Sequence, residues 1–231
     1  MRKFIYAIMG LFISLASSAQ AFLPTDPIGT TLQYEVTKRD TVTNSYYVLK
    51  GLKKSPQGLW MEVEIKGSLK DKKGERVVLK ILHKPNALAM DIGRLITDAI
   101  EMDKEAAEKL QASAKGELLS IPLQNTNDKL PLEKSKIYIK VSRIITVSIN
   151  MGWKEKAIVG RETLDLPIGK YETFVMKGRV HVDFGIGILR KGIDINYTFW
   201  IAPGVGVVKY ERKAMDSKET CRLVKKILPQ S

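Results

Sequence analysis

Apolar and polar side chains alternate along most of this chain with a period of two, the spacing of a strand that buries one face. Between Leu59 and Lys66, Met61, Val63 and Ile65 alternate with Glu62, Glu64 and Lys66. Leu32, Tyr34 and Val36 do the same against Gln33, Glu35 and Thr37, and Val77, Leu79 and Ile81 continue the theme. Ile137, Ile139, Val141, Ile145, Val147 and Ile149 read as one face of a single very long strand, interrupted by Arg143. A strand of that length bends or serves two sheets. Further strands are expected at Val180–Phe184, Ile193–Ile201, Val205–Tyr210 and Thr220–Ile227. Turn residues separate them: Ser55-Pro56-Gln57-Gly58, Asp71-Lys72-Lys73-Gly74, Pro167-Ile168-Gly169 and Pro203-Gly204. Short strands joined in this way favour consecutive antiparallel pairing.

One segment departs from this period. Ile92, Leu95, Ile96, Ala99, Met102, Ala106 and Leu110 fall at helical spacing, with Asp91 placed to cap the start and Gly116 to stop the end. A helix is therefore expected near 92–115, with Asp98, Glu101, Asp103, Glu105 and Glu108 as an acidic outer face. The fold class that follows is mainly β: a curved antiparallel sheet or half-barrel packed against one amphipathic α-helix that plugs its concave face. Ser120–Leu132 is the best linker candidate, but a long strand over 136–151 could pair with both halves. One domain over 22–231 is the expectation.

The first 21 residues change the picture. Met1-Arg2-Lys3 precede an apolar run from Phe4 to Ala16 and then Ser17-Ser18-Ala19-Gln20-Ala21. A basic start, a short apolar stretch and the Ala-x-Ala site of Ala19 and Ala21 form a secretory signal peptide, expected to be cleaved after Ala21 so that the processed chain begins near Phe22. The apolar run is too short to span a bilayer comfortably. The processed protein is expected to be periplasmic or secreted and not an integral membrane protein. Cys221 is the sole cysteine, so no intrachain disulfide can form and no cysteine follows the cleavage site to carry lipid. A half-buried strand thiol and an intermolecular disulfide are the two readings of Cys221.

The formal net charge is +13, of which Arg2 and Lys3 account for two. Lysines outnumber arginines 28 to 10, which suits general attraction to anionic surfaces better than bidentate phosphate pockets. Export argues against nucleic acid. The partners left are a lipid or another anionic envelope component, or an envelope protein. The densest basic cluster, Lys70, Lys72, Lys73, Arg76 and Lys80, surrounds a hairpin tip and is the candidate contact with an anionic surface. Solubility alone is the other reading of the charge.

Catalytic signals are thin. His83 and His181 are the two imidazoles, and neither sits in a zinc-ligand spacing. His181 and Asp183, two apart, could form a base and its orienter on one strand face. Glu62 and Glu64 would place carboxylates about 7 Å apart, within the range of inverting glycosidases, although a solvated polar face explains them as well. Gly185-x-Gly187 with Gly192 lacks the strand-to-helix setting of a phosphate loop and reads as a hairpin connection. No metal, cofactor or enzymatic activity is expected.

The C-terminal quarter carries a resemblance. Thr163-Leu164-Asp165-Leu166-Pro167-Ile168-Gly169-Lys170-Tyr171-Glu172-Thr173, followed by Phe199-Trp200-Ile201-Ala202-Pro203-Gly204-Val205-Gly206-Val207, resembles exported bacterial proteins of the TapB-like domain-of-unknown-function class. It covers residues 160–213, and Ile168 stands where that class more often has Ala. The resemblance implies a periplasmic antiparallel β protein similar to lipoprotein carriers, with no established activity and no catalytic residues. The function expected is a non-catalytic exported protein that binds or carries an apolar or anionic envelope component. The alternative is a structural or assembly factor of the envelope. A hydrolase stands third and would need Glu62, Glu64, His181 or Asp183 to converge in one cleft.

Overall fold

A computed structural model describes residues 23–66, 77–91, 93, 111–142, 144–215 and 217–229. Thirteen strands follow in chain order: β1 (Thr31–Lys38), β2 (Thr41–Ser55), β3 (Gly58–Lys66), β4 (Val77–His83), β5 (Ala87–Met90), β6 (Gln111–Gly116), β7 (Leu119–Pro122), β8 (Lys134–Lys140), β9 (Thr146–Leu166), β10 (Gly169–Ile186), β11 (Leu189–Ala202), β12 (Gly206–Ala214) and β13 (Ser217–Ile227). They form one sheet in the order β6-β8-β9-β10-β11-β12-β13-β1-β2-β3-β4-β5-β7. Every pairing is antiparallel.

Alternation decides which face is which. In β8, Ser135, Ile137 and Ile139 are buried while Lys134, Lys136, Tyr138 and Lys140 are exposed. The inward rows of the strands meet in one continuous apolar cluster that runs from Leu32 and Leu49 through Met61, Ile81 and Ile137 to Phe199, Tyr210 and Leu223. Bulges between Val175 and Met176 and between Arg179 and Val180 interrupt the long β9–β10 ladder. Such irregularities sharpen the local twist and help a sheet curl.

The curl brings the two edges together. The edge strands β6 and β7 are consecutive in the chain, with only Glu117 and Leu118 between them. The Glu117 amide donates to the Lys134 carbonyl at 2.8 Å. Lys156 on β9 donates to the Ser120 carbonyl on β7 at 3.0 Å. The sheet is open in its hydrogen bonding, yet a two-residue link holds one edge beside the other.

Three expectations are corrected. The half-barrel packed against one amphipathic α-helix is replaced by a large antiparallel sheet, with no helical element among the described residues. Gln111–Gly116, the tail of the helix expected near 92–115, is strand β6, paired from Gln111↔Lys140 to Gly116↔Ser135. Its ladder with β8 overrides helical spacing, and residues 92 and 94–110 lie outside the described residues. The long strand over 136–151 is two strands, β8 and β9, folded back on each other so that Ile137 pairs with Ile149 and Ile139 with Val147. The hairpin keeps the alternation in phase, so its two arms read as one. The linker candidate Ser120–Leu132 begins inside β7.

Because neighbours are antiparallel, the turns sort to two ends. β1, β8, β10 and β12 finish at one end, where each passes directly into the next strand. The β2–β3, β9–β10 and β11–β12 turns lie at the other. There, Pro203 and Gly204 (φ 73°) form a type II turn closed by the Val205 amide donating to Ala202 O at 3.0 Å.

Candidate functional site

Four neighbouring strands, β8 to β11, build a groove of about 500 Å³ on the outer, polar face of the sheet. Register sets out its residues in three rows. Lys134, Gly152, His181 and Asp194 face one another, then Lys136, Asn150, Asp183 and Gly192, then Tyr138, Ser148, Gly185 and Arg190. The last row is the one nearest the β8–β9 and β10–β11 turns. Glycines keep the floor low: a β-carbon on Gly185 would come 2.7 Å from Ser148 Oγ, and one on Gly192 would come 2.6 Å from His181 Cε1.

The imidazole of His181 therefore lies against Gly192, with Nδ1 2.6 Å from Asp194 Oδ1. Asp183, the partner expected for His181, instead accepts from Arg190 Nη1 at 3.1 Å. A strand places residues two apart on one face but does not make them meet; the cross-strand neighbour is closer. Lys134, Lys136 and Lys154 also line the groove and make no ion pair among the described residues. The lining is thus cationic, with Asp183 already engaged by Arg190.

The other expected site residues lie elsewhere. Glu62 is exposed and paired with Lys80 across the β3–β4 ladder at 3.5 Å. Glu64 is 2% exposed beneath Lys50 and Lys66, at 3.6 and 3.4 Å. Five strands separate β3 from β10 in the sheet order, so these carboxylates do not join His181 and Asp183 in one cleft. Of the basic cluster Lys70, Lys72, Lys73, Arg76 and Lys80, only Lys80 is described, and it pairs with Glu62; the other four lie outside the described residues, as do the cleavage residues Ala19, Ala21 and Phe22. His83 is half-buried, and burial lowers its pKa. Trp200, on the outward row, is 7% exposed, donates to Glu162 Oε2 at 2.6 Å and carries Lys209 Nζ 4.0 Å from its ring centroid. Its role there is packing.

Sequence patterning did not reveal a second polar group, inside the wrap. Lys156 pairs with Glu133 at 2.9 Å, and the Ser120 hydroxyl donates to the same carboxylate. Lys156 Nζ lies 5.3 Å from the Trp153 ring, which meets Tyr197 edge-on at 6.2 Å. Tyr197 in turn faces Arg212, and Arg212 faces Glu219. Burial lowers the Lys156 pKa against the pull of Glu133, and burial raises those of Tyr197, Tyr210 and Cys221. Cys221 is fully buried, which leaves an intermolecular disulfide no access. Among the described residues, no cluster of three or more His, Cys, Asp or Glu could hold a metal.

The motifs of the C-terminal quarter also converge. Pro167, Ile168 and Tyr171 from one and Val205 from the other line a dent with Leu223, Lys225 and Lys226. The family model described as DUF3108-like matches residues 28–220. The chain belongs to the DUF3108-like family. The family likeness therefore spans nearly the whole sheet rather than residues 160–213, and it is a DUF3108-like match, not a TapB-like one. Among solved structures, the DUF3108-like chain is similar to a candidate lipoprotein of Parabacteroides distasonis. The TM-score is 0.58 at 15% identity, over 90% of this chain and 99% of that one. It is also similar to a candidate exported protein with a YmcC-like fold from Bacteroides fragilis, with TM-score 0.54, 15% identity and the same coverage. At that identity the likeness is one of fold. No curated protein matches the DUF3108-like chain.

Proposed function

We propose that this chain is a non-catalytic exported protein of the cell envelope that binds an anionic envelope component in the groove over β8–β11. The observation that carries this reading is the set of three lysines that make no ion pair among the described residues, Lys134, Lys136 and Lys154, beside a floor of Gly152, Ser148 and Asn150. Cations held above a low polar floor attract a phosphate-bearing group and leave room for it. The apolar half of the expectation finds less support, because the inward rows pack on one another instead of lining an open groove. Apolar rows inside and charged rows outside are the reverse of a membrane-spanning barrel. Among the described residues, no helix is long and apolar enough to cross a membrane.

The test is a titration of the exported, purified protein with dihexanoyl-phosphatidylglycerol below its micellar concentration, followed by backbone amide NMR. The expected result is saturable shifts confined to β8–β11, with affinity falling at least about tenfold in K134E/K136E. Equal binding by that variant, or shifts spread evenly over the protein, would sink the reading.

A further inference from the structure

The hairpin turns at one end of the sheet hold their apolar side chains out in water. Ile144, in the β8–β9 turn, is 92% exposed; Ile188 and Leu189, in the β10–β11 turn, are 98% and 73% exposed. Met215, in the turn after β12, is 63% exposed. The hairpin turns of the opposite end differ: Ile168 and Val205 are half-buried and packed on the core, although Ile28 and Leu228, which flank β1 and β13 there, are 57% and 59% exposed. The contrast is one between hairpin turns of similar length.

Backbone conformation adds a second observation. Met215 has φ 49° and Arg39, in the β1–β2 turn at the same end, has φ 52°. Glycine or asparagine is at ease there, whereas a long side chain is strained. Turn geometry alone does not account for a thioether and a guanidinium at these two positions. Charge supplies the third. Lys140 and Lys191 flank the Ile144 and Ile188 tips beside Arg190, which is paired with Asp183 at 3.1 Å, and Lys38, Arg39 and Lys213 stand on the next two hairpins; these cations are exposed, and Asp40 is the one described carboxylate within the turns themselves.

The β8–β9 and β10–β11 hairpins are adjacent in the sheet, so their tips lie about 10 Å apart, two strand spacings. From these tips and their basic collar, we propose that this end of the sheet docks on an anionic lipid bilayer, with Ile144, Ile188 and Leu189 entering the interfacial layer. Apolar side chains that cover nothing in the protein gain by entering the acyl boundary, and lysine and arginine beside them meet anionic headgroups. Tyr138, exposed on the groove row nearest the tips, sits at the depth where a ring with a hydroxyl suits the interface. The proposal rests on and deepens the groove reading, because docking would bring the groove mouth to the headgroup layer, but the tip residues it tests, Ile144, Ile188 and Leu189, lie outside the groove lining.

The experiment is flotation of the exported, purified protein with vesicles of phosphatidylethanolamine and phosphatidylglycerol, against pure phosphatidylcholine vesicles. Partition into the anionic vesicles is expected, weakened by added salt, and reduced at least about tenfold in I144S/I188S/L189S. These residues are exposed, so the variant should fold; its thermal unfolding midpoint verifies that. In I188W, the tryptophan emission should shift to shorter wavelength on anionic vesicles only. Equal partition by the triple variant, absence of partition, or an unshifted I188W spectrum overturns the proposal. The two readings fail separately. Loss of dihexanoyl-phosphatidylglycerol binding in K134E/K136E with vesicle docking retained sustains both, whereas a tip variant that binds neither vesicles nor the soluble lipid overturns the docking role.

Discussion

Arg212 and Glu219 face each other inside the wrapped sheet, guanidinium to carboxylate at 2.6 Å, with side chains 5% and 9% exposed. Tyr210 OH adds a longer bond to Glu219 at 3.4 Å, while Arg212 Nη1 has no hydrogen-bond partner among the described residues. Desolvating two charges offsets most of their attraction, so the pair adds little net stability, yet stranding one partner is severe. R212A should therefore destabilise by about 3–5 kcal/mol, and R212M/E219L should come within about 1 kcal/mol of the parent or exceed it. Urea unfolding of the two variants checks this. A small loss in R212A would mean that water reaches the carboxylate.

Gly178 and Gly160 make a paired prediction on neighbouring strands. A β-carbon on Gly178 would come 2.6 Å from Trp153 Cζ3 and 2.9 Å from the Glu155 carbonyl, whereas one on Gly160 would meet nothing within 4 Å. Neither has positive φ, so space alone separates them. G178A should lose about 1–3 kcal/mol by overpacking and displace the Trp153 ring, seen as a change in near-UV circular dichroism. G160A should be neutral or gain a few tenths of a kcal/mol from the stiffer unfolded chain. Similar losses in both would refute the steric account.

Strands and turns were legible because each obeys a local rule: alternation over Met61–Ile65, Pro203 and Gly204 in the β11–β12 turn. What failed needed partners distant in sequence. Residues 111–116 could extend a helix by spacing, but β8 needed a neighbour beyond Lys134–Lys140, and pairing decided in favour of strand. The hairpin at 141–145 was hidden because its two arms stay in phase. At the candidate site, His181 and Asp183 were rightly placed on one face, but Asp194, the carboxylate that meets His181, is 13 residues away and known only through register. The groove lysines Lys134, Lys136 and Lys154 looked like any solvated strand face. The buried Arg212 is in phase with Val208, Tyr210 and Ala214, where alternation predicts an apolar residue, and that mismatch was an available signal; Lys156 is out of phase with Ile149, Met151 and Trp153 and turns inward only through the bulge in the β9–β10 ladder, which the sequence does not mark.

Alkaline pH should unfold this protein ahead of its surface chemistry. Burial raises the pKa of Cys221 above its ordinary 9.0 and those of Tyr197 and Tyr210 above 10.0. Below pH 9 these groups keep their protons in both states and the contribution is complete. Above it the unfolded chain sheds protons that the folded chain retains, so stability falls as pH rises, by about 1.4 kcal/mol per pH unit for each group engaged. Lys156 has the opposite sign. Burial lowers its pKa below 10.5, so between that lowered value and 10.5 the unfolded chain binds more protons, and stability rises with pH. Between pH 9 and 10 Cys221 and Lys156 oppose each other one against one, and above 10 the two tyrosines tip the balance to a net loss. Urea unfolding between pH 7.5 and 10.5 should show the parent declining only as pH passes 10, with the decline beginning near 9 in K156M. A stability that stays level through pH 10.5 in the parent protein would show that water reaches these three side chains.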